Sequence, residues 1–308
     1  MSFSGPKPHA SLLPVSDGRA WKRFGLATLV LGLVFFRPLI DLIRLALASE
    51  ANSHVLLVPL VSAYLVWTER RQLPAAGSPW FGLAGLSAIA ATAALTTSLL
   101  PGVHLPADQR LSLRIVALAL GIVACGAVFL GRDMVRHCVF PIAFLGFAIP
   151  MPGTAIDFFE TTLQHASAEV AGWAFDLAGP PVIHDGLLFR LPGMSIKVAQ
   201  ECSGFRSTLV LFMISVLAAR MFLRTPWKRA LLVLTIFPLG ILRNAFRIWT
   251  LATLSVNVNP DILDSWLHHR GGPVFFALSL VPLYLLLIGL HRTEQIQRTA
   301  PPSSTRPI

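Results

Sequence analysis

The chain has 308 residues, 54% of them hydrophobic and only 13% charged, with a mean hydropathy of +0.67. That is about half the charge of a soluble domain, which excludes a soluble enzyme, and the apolar runs recur along the whole chain, which excludes one with a single anchor. The net charge of +10 comes from short basic clusters between those runs, a topology signal and not a nucleic-acid surface, and three cysteines are too few, and odd in number, for a disulfide framework.

Residues 1–20 are rich in Ser, Pro and Gly and lack a signal peptide's apolar stretch, so they read as a disordered cytoplasmic tail. A bilayer core takes about 20 mostly apolar residues as helix. Candidate spans follow at Phe24–Leu47, His54–Trp67, Trp80–Leu100, Leu111–Leu130, Met134–Ile149, Phe205–Phe222, Ala230–Val256 and Pro273–Leu290. The expectation is an all-α polytopic membrane protein of about eight transmembrane helices, a single domain over residues 21–291 followed by a cytoplasmic tail at 292–308. Basic clusters belong on the cytoplasmic side. They fall at Lys22-Arg23, Arg70-Arg71, Arg132 with Arg136, Arg220 through Arg229, and Arg292 onward, alternating with the spans. Both termini are therefore expected inside, with outer connections at 48–53, 101–110, 150–204 and 257–272. Arg110 and Arg114 are the exception, left at the outer interface.

The outer connection 150–204 is far longer than an ordinary loop and so is expected to carry structure or function. Phe159, Leu163, Ala166, Val170, Trp173, Ala174 and Leu177 recur at helical spacing between polar residues, which predicts an amphipathic helix over Ile156–Leu177 lying on the outer membrane surface. The alternative is an ordinary helix packed on the other spans. Beyond Gly179-Pro180-Pro181, two short alternating runs flank Pro192-Gly193, the pattern of a small extracytoplasmic β-hairpin.

Polar residues within or at the edge of membrane helices are costly and become functional candidates. Cys202 lies in Gln200-Glu201-Cys202-Ser203-Gly204-Phe205-Arg206, at the predicted outer N-terminus of the sixth span. Unpaired amides, the helix dipole and the Arg206 charge one turn on all favour a thiolate there. Cys125 and Cys138 read instead as small apolar residues inside spans. Arg243 and Arg247 lie four residues apart in the seventh span, with Asn244 three residues before Arg247, and each arginine needs a partner or a water-filled site. The last outer loop contains Asp264 and the pair His268-His269, of which one ring at most faces a common site. The charge-derived topology puts Cys202, Arg247 and His268 near one outer leaflet. A cysteine nucleophile, a histidine acid/base and a cationic oxyanion donor suffice for acyl transfer. No metal-ligand spacing, P-loop or dinucleotide fingerprint occurs, so no metal and no cofactor are expected.

These motifs, in this order, resemble the exosortases and archaeosortases, multi-pass membrane cysteine enzymes that process proteins with a C-terminal sorting signal of the PEP-CTERM type. The resemblance runs from Ser53 to Phe276. Cys202 to Arg206, with Ser203 and Gly204 between, is similar to the family's Cys-Ser-Gly-x-Arg run, and Asn244 to Arg247 to its Asn-x-x-Arg. His268 before Gly271-Gly272 corresponds to its late histidine, and Ser53-His54 with Leu57-Val58-Pro59 to an earlier motif. The resemblance implies Cys202, Arg247 and His268 as the catalytic set, ahead of Arg243 and His269. The basic His269-Arg270 pair is a departure from the pattern.

The implied activity is that of a peptidase or transpeptidase of the inner membrane, acting at its outer face through a Cys202 thioester. Its implied partners are exported clients with a C-terminal transmembrane signal, membrane lipids and a lipid or glycan acceptor, with no nucleic acid. The rivals are a transporter or flippase for a lipid-linked sugar, with Arg243 and Arg247 on phosphate, and an assembly factor for exopolysaccharide export.

Overall fold

In lipid only an α-helix satisfies every backbone polar group within one segment, and helices make up most of the computed structural model, which describes residues 18–178, 182–191, 194–200, 203–258 and 272–299. The helices are α1 (Gly18–Val34), α2 (Phe36–Ala48), α3 (Leu57–Thr68), α4 (Phe81–Leu99), α5 (Ala107–Phe129), α6 (Arg132–His137), α7 (Val139–Phe144), α8 (Gly153–Ala178), α9 (Phe205–Phe222), α10 (Pro226–Leu234), α11 (Ile236–Asn257) and α12 (Gly272–Thr299). Residues 1–17 of the expected N-terminal tail lie outside the described residues, and 18–20 open α1. Past the predicted end of the last span, α12 continues to Thr299.

Among the described residues five helices are long and apolar enough to cross a membrane: α4, α5, α9, the 32-residue run of α10 with α11, and α12. The count reaches seven if each of two bent pairs is one span. Eight separate spans are therefore not found: the second predicted one is too short, and prolines interrupt the helices of three others. A proline inside a helix has no N–H and clashes with the carbonyl four residues back. Pro38 thus ends α1 at Val34, Pro141 ends α6 at His137 and Pro238 ends α10 at Leu234. In each case one residue links the two helices, bonding backward and forward: Phe35 to Leu31 and from Leu39, Cys138 to Met134 and from Ile142, Thr235 to Leu231 and from Leu239. The break at Phe35 bends the first predicted span by 72°. The predicted fifth span, Met134–Ile149, becomes α6, α7 and a 3-10 turn at Leu145–Ala148. The second is a 3-10 helix, Glu50–Leu56, leading into α3, and is too short to count. Pro282 sits inside α12 without a break, and nothing in the structure explains it.

The chain divides into two compact units, Met1–Gly153 and Thr154–Ile308. In the first, α4 is built largely of Gly, Ala, Ser and Thr and packs along α5, small side chains allowing the close approach that membrane helices rely on. Phe35, Ala117 and Leu118 form the centre of that packing. The turn from α5 into α6 presses on residues 77–78, where Gly131 has φ +86° and ψ 179°.

In the second unit the predicted hairpin is present, β2 (Leu188–Leu191) pairing antiparallel with β3 (Met194–Lys197) in the register Leu191 to Met194. A strand the sequence did not announce, β1 (Ile183–Asp185), pairs with β2 on its other side. The predicted amphipathic helix is α8, and its packed face is built mostly of small residues. Leu163, Ser167, Ala168, Ala171, Gly172 and Phe175 pack inward, whereas Trp173 and Leu177 are exposed. Small residues win the packed face because they admit close approach to the sheet and to α11, where Phe189, Leu191, Val198, Ala245 and Ala252 join them. The aromatic and long apolar residues stay outside, as expected of a helix meeting lipid. Gln164, buried in the packed face, donates to the Val198 carbonyl at 2.7 Å.

The turn between α9 and α10 is closed from α12. Glu294 accepts the N–H groups of Arg224 at 3.1 Å and Thr225 at 2.8 Å. Lys228, 1% exposed, donates to Thr293 Oγ1 at 2.9 Å.

Gly131 occupies a backbone region that only glycine tolerates, and a Cβ there would lie 2.8 Å from backbone atoms of Gly77 and Ser78. Gly131→Ala is expected to cost about 1–3 kcal/mol from backbone strain, read as a lowered melting temperature in detergent. Gly146→Ala, with open space at its Cβ, serves as control; equal melting of the two variants would remove the strain argument.

Candidate active site

The Cys-Ser-Gly run enters α9 through Gly204, which has φ +74° and ψ 8° and forms the N-cap. That left-handed turn suits glycine, and the surroundings demand it too. A side chain would meet Arg243 Nη2 at 2.9 Å and the Asn244 amide at 3.1 Å. Helices α9 and α11 therefore touch backbone to side chain here. One turn further into α9, Thr208 lies against Gly240, where a Cβ would come within 2.6 Å of Thr208 Oγ1. Rising numbers on α9 meet falling numbers on α11, so the two helices run antiparallel, and the chain followed back from Thr208 to Ser203 travels toward Arg247.

Arg243 is 7% exposed. Its Nη2 donates to the Gly204 carbonyl at 3.0 Å and lies 3.2 Å from Thr208 Oγ1. The same carbonyl accepts from the Thr208 N–H at 3.0 Å, from Thr208 Oγ1 at 2.9 Å and from Ser207 Oγ at 3.0 Å. A carbonyl at the start of a helix thus has its lone pairs crowded by donors, and a charged donor among them strengthens the bond. Among the described residues Arg243 Nη1, which is buried, has no hydrogen-bond partner. Ser203 is 3% exposed, and its hydroxyl accepts from the Phe205 N–H at 3.3 Å.

Helix α8 reaches the same stretch from another side. The Phe159 and Phe205 rings stack at 6.0 Å with planes 12° apart. Gln200 Nε2 donates to Glu160 Oε2 at 3.1 Å and to Asp157 Oδ1 at 3.4 Å, and its carbonyl accepts the Ser203 N–H at 2.9 Å.

Of the residues singled out from sequence, Ser203, Gly204, Arg243 and Asn244 come together, with Asn244 2% exposed on the packed face of α11. Arg247 lies one turn beyond, half-buried, and Arg206 is exposed in the first turn of α9. Ser53 and His54 belong to the 3-10 helix ahead of α3. Cys202, Asp264, His268 and His269 lie outside the described residues. Among those that are described, no group of His, Cys, Asp and Glu is placed to hold a metal ion. Sequence reasoning missed Thr208 and Gly240. Their signal was available: Gly204 and Thr208, like Gly240 and Asn244, are four residues apart, the small-residue spacing of close membrane helix pairs.

No curated protein and no solved structure matches the chain. The family model of the transmembrane exosortases matches residues 44–285, a stretch that takes in the Ser-His motif, the Cys-Ser-Gly run, the Arg243–Arg247 segment and the late histidines. This multi-pass membrane protein therefore belongs to the transmembrane exosortase family, whose general role is that of a membrane transpeptidase.

Proposed function

We propose that the protein is a cysteine-dependent peptidase or transpeptidase that cleaves the C-terminal, PEP-CTERM-type sorting signal of exported proteins at the outer face of the inner membrane, with both of its own termini cytoplasmic. The observation that carries this reading is the docking of Gly204, two residues after Cys202, onto Arg243 and Asn244 of α11. The antiparallel register leads from there toward Arg247, which supports a reading in which a nucleophile just ahead of α9 and a cationic donor on α11 act on one substrate group.

The Cys202 thiolate attacks a client carbonyl carbon, forming a C–S bond and an oxyanion that Arg247 receives. Collapse breaks the C–N bond; His268 gives its proton to the leaving amine and the client remains as a thioester. Water, or an amine or hydroxyl on a surface lipid or glycan, then attacks with its proton passing to His268, and the thiolate leaves. Hydrolysis makes a protease, and attack by a surface acceptor anchors the client. The client is held by its own transmembrane helix. A flippase that binds phosphate would want both arginines free, whereas Nη2 of Arg243 is committed to Gly204 and Thr208.

The roles separate under mutation, read as processing of a co-expressed exported fusion that ends in a sorting helix. Cys202→Ala should abolish cleavage and any covalent species. Arg247→Lys keeps the charge but loses the planar fork, and a loss on the order of 10²- to 10³-fold is expected, as for removal of one oxyanion donor. His268→Ala should let a thioester-linked client accumulate, and His269→Ala should be mild. Near-full processing by both Arg247→Lys and His268→Ala would sink the assignment, and Glu201 and His184 would be next in line; His184 is stacked on Phe189 at 4.6 Å and bonded to the Gly186 carbonyl at 2.7 Å.

Sidedness has its own check. A membrane-impermeant thiol reagent on intact spheroplasts should modify Cys202 and spare Cys125 and Cys138. Modification of Cys202 only after permeabilisation would place the site on the cytoplasmic face.

A further inference from the structure

The residues flanking Cys202 are gripped by α8 at three successive places. Gln164 holds the Val198 carbonyl at the end of β3. Glu160 and Asp157 together take the Gln200 amide, and Phe159 stacks on Phe205. Arg243 holds the far side at the Gly204 carbonyl. Within the turn itself the Ser203 N–H returns to the Gln200 carbonyl. Among the described residues, Gln200 is thus bonded both to α8 and across the stretch that contains the cysteine.

We infer that Asp157 and Glu160 are positioning residues: through Gln200 they fix the near end of the nucleophile turn while Arg243 fixes its far end. The inference rests on the cysteine reading given above. Asp157 and Glu160 are three residues apart on one face of α8, so both carboxylates converge on a single side-chain amide. Their charge is unhelpful beside a nucleophilic thiol, because a nearby carboxylate disfavours the thiolate. What they contribute is acceptor geometry. A turn that precedes a helix keeps its alignment only if both ends are held, and a displacement of about 1 Å at a reacting group can cost on the order of 10²-fold in rate.

The test is a double-mutant cycle in the full-length protein carrying Cys125→Ala and Cys138→Ala, so that Cys202 is the only thiol. Two quantities are read: the alkylation rate constant of Cys202 with iodoacetamide across pH, and kcat and KM for processing of the sorting-helix fusion. Asp157→Ala with Glu160→Ala should change the alkylation rate constant about threefold or more and lower kcat about tenfold with KM held. Gln200→Ala should do the same, and the combination should add nothing further. Asp157→Asn with Glu160→Gln keeps oxygen acceptors and should stay within about twofold of the parent on both readings. Additive effects would overturn the inference, as would an isosteric pair that behaves like the alanine pair, since charge and not hydrogen bonding would then be at work. A fall in protein level without a change in either rate would also overturn it, leaving α8 a purely structural support. Processing that survives Cys202→Ala defeats the cysteine reading instead, while the alkylation cycle, read on the thiol alone, still decides the positioning claim.

Discussion

A guanidinium placed in the middle of an apolar helix costs roughly 2.5 to 3.5 kcal/mol on insertion scales, and Arg243 meets that cost with the carbonyl of Gly204. Much of the second unit follows from this one bond. Its geometry requires α9 to begin against α11, a residue without a side chain at the point of contact, and a small residue opposite Thr208 one turn on. The register it sets also determines what lies level with Arg247. A charge that would be a liability in lipid has become the pin that aligns two helices, and the alignment survives only while both partners are present. Removing one partner of a buried charged bond strands the other, which is more damaging than never having had the pair.

The helical, polytopic character was legible from the apolar runs alone, and four of the predicted spans appear as the single helices α4, α5, α9 and α12. The remaining runs were drawn straight through prolines. Hydropathy records whether a segment is content in lipid; it does not record whether its backbone can stay helical. Pro38, Pro141 and Pro238 each terminate a helix four residues upstream, a consequence of ring sterics that was open to reading at the outset. On α8 the residues expected to meet the membrane surface include Trp173 and Leu177, which are exposed; what helical spacing of large apolar residues does not reveal is the packed face, where close approach is the scarce resource and goes to Ala168, Ala171 and Gly172.

For the candidate site, residue identity was legible and pairing was not. Arg243 was recognisable as a charge in need of a partner, yet the partner is a backbone carbonyl thirty-nine positions earlier, and a carbonyl carries no mark in a sequence. The same holds for Gln164 and the Val198 carbonyl. The third strand, β1, escaped because its three residues are too few to show alternation. Side chain to backbone bonds of long range are the class of contact that pattern reading finds last.

Glu294 has a bearing on the order in which the chain is assembled. The amides it accepts, those of Arg224 and Thr225, precede it by about seventy residues. At synthesis rates of about 5 to 20 residues per second, the turn between α9 and α10 waits on the order of 4 to 14 seconds for its acceptor. Throughout that interval its N–H groups and the Lys228 ammonium must be solvated by water, because hydrocarbon offers nothing in exchange. The α9–α10 hairpin is therefore held at the aqueous boundary during biogenesis, and the arrival of α12 is the step that seals it.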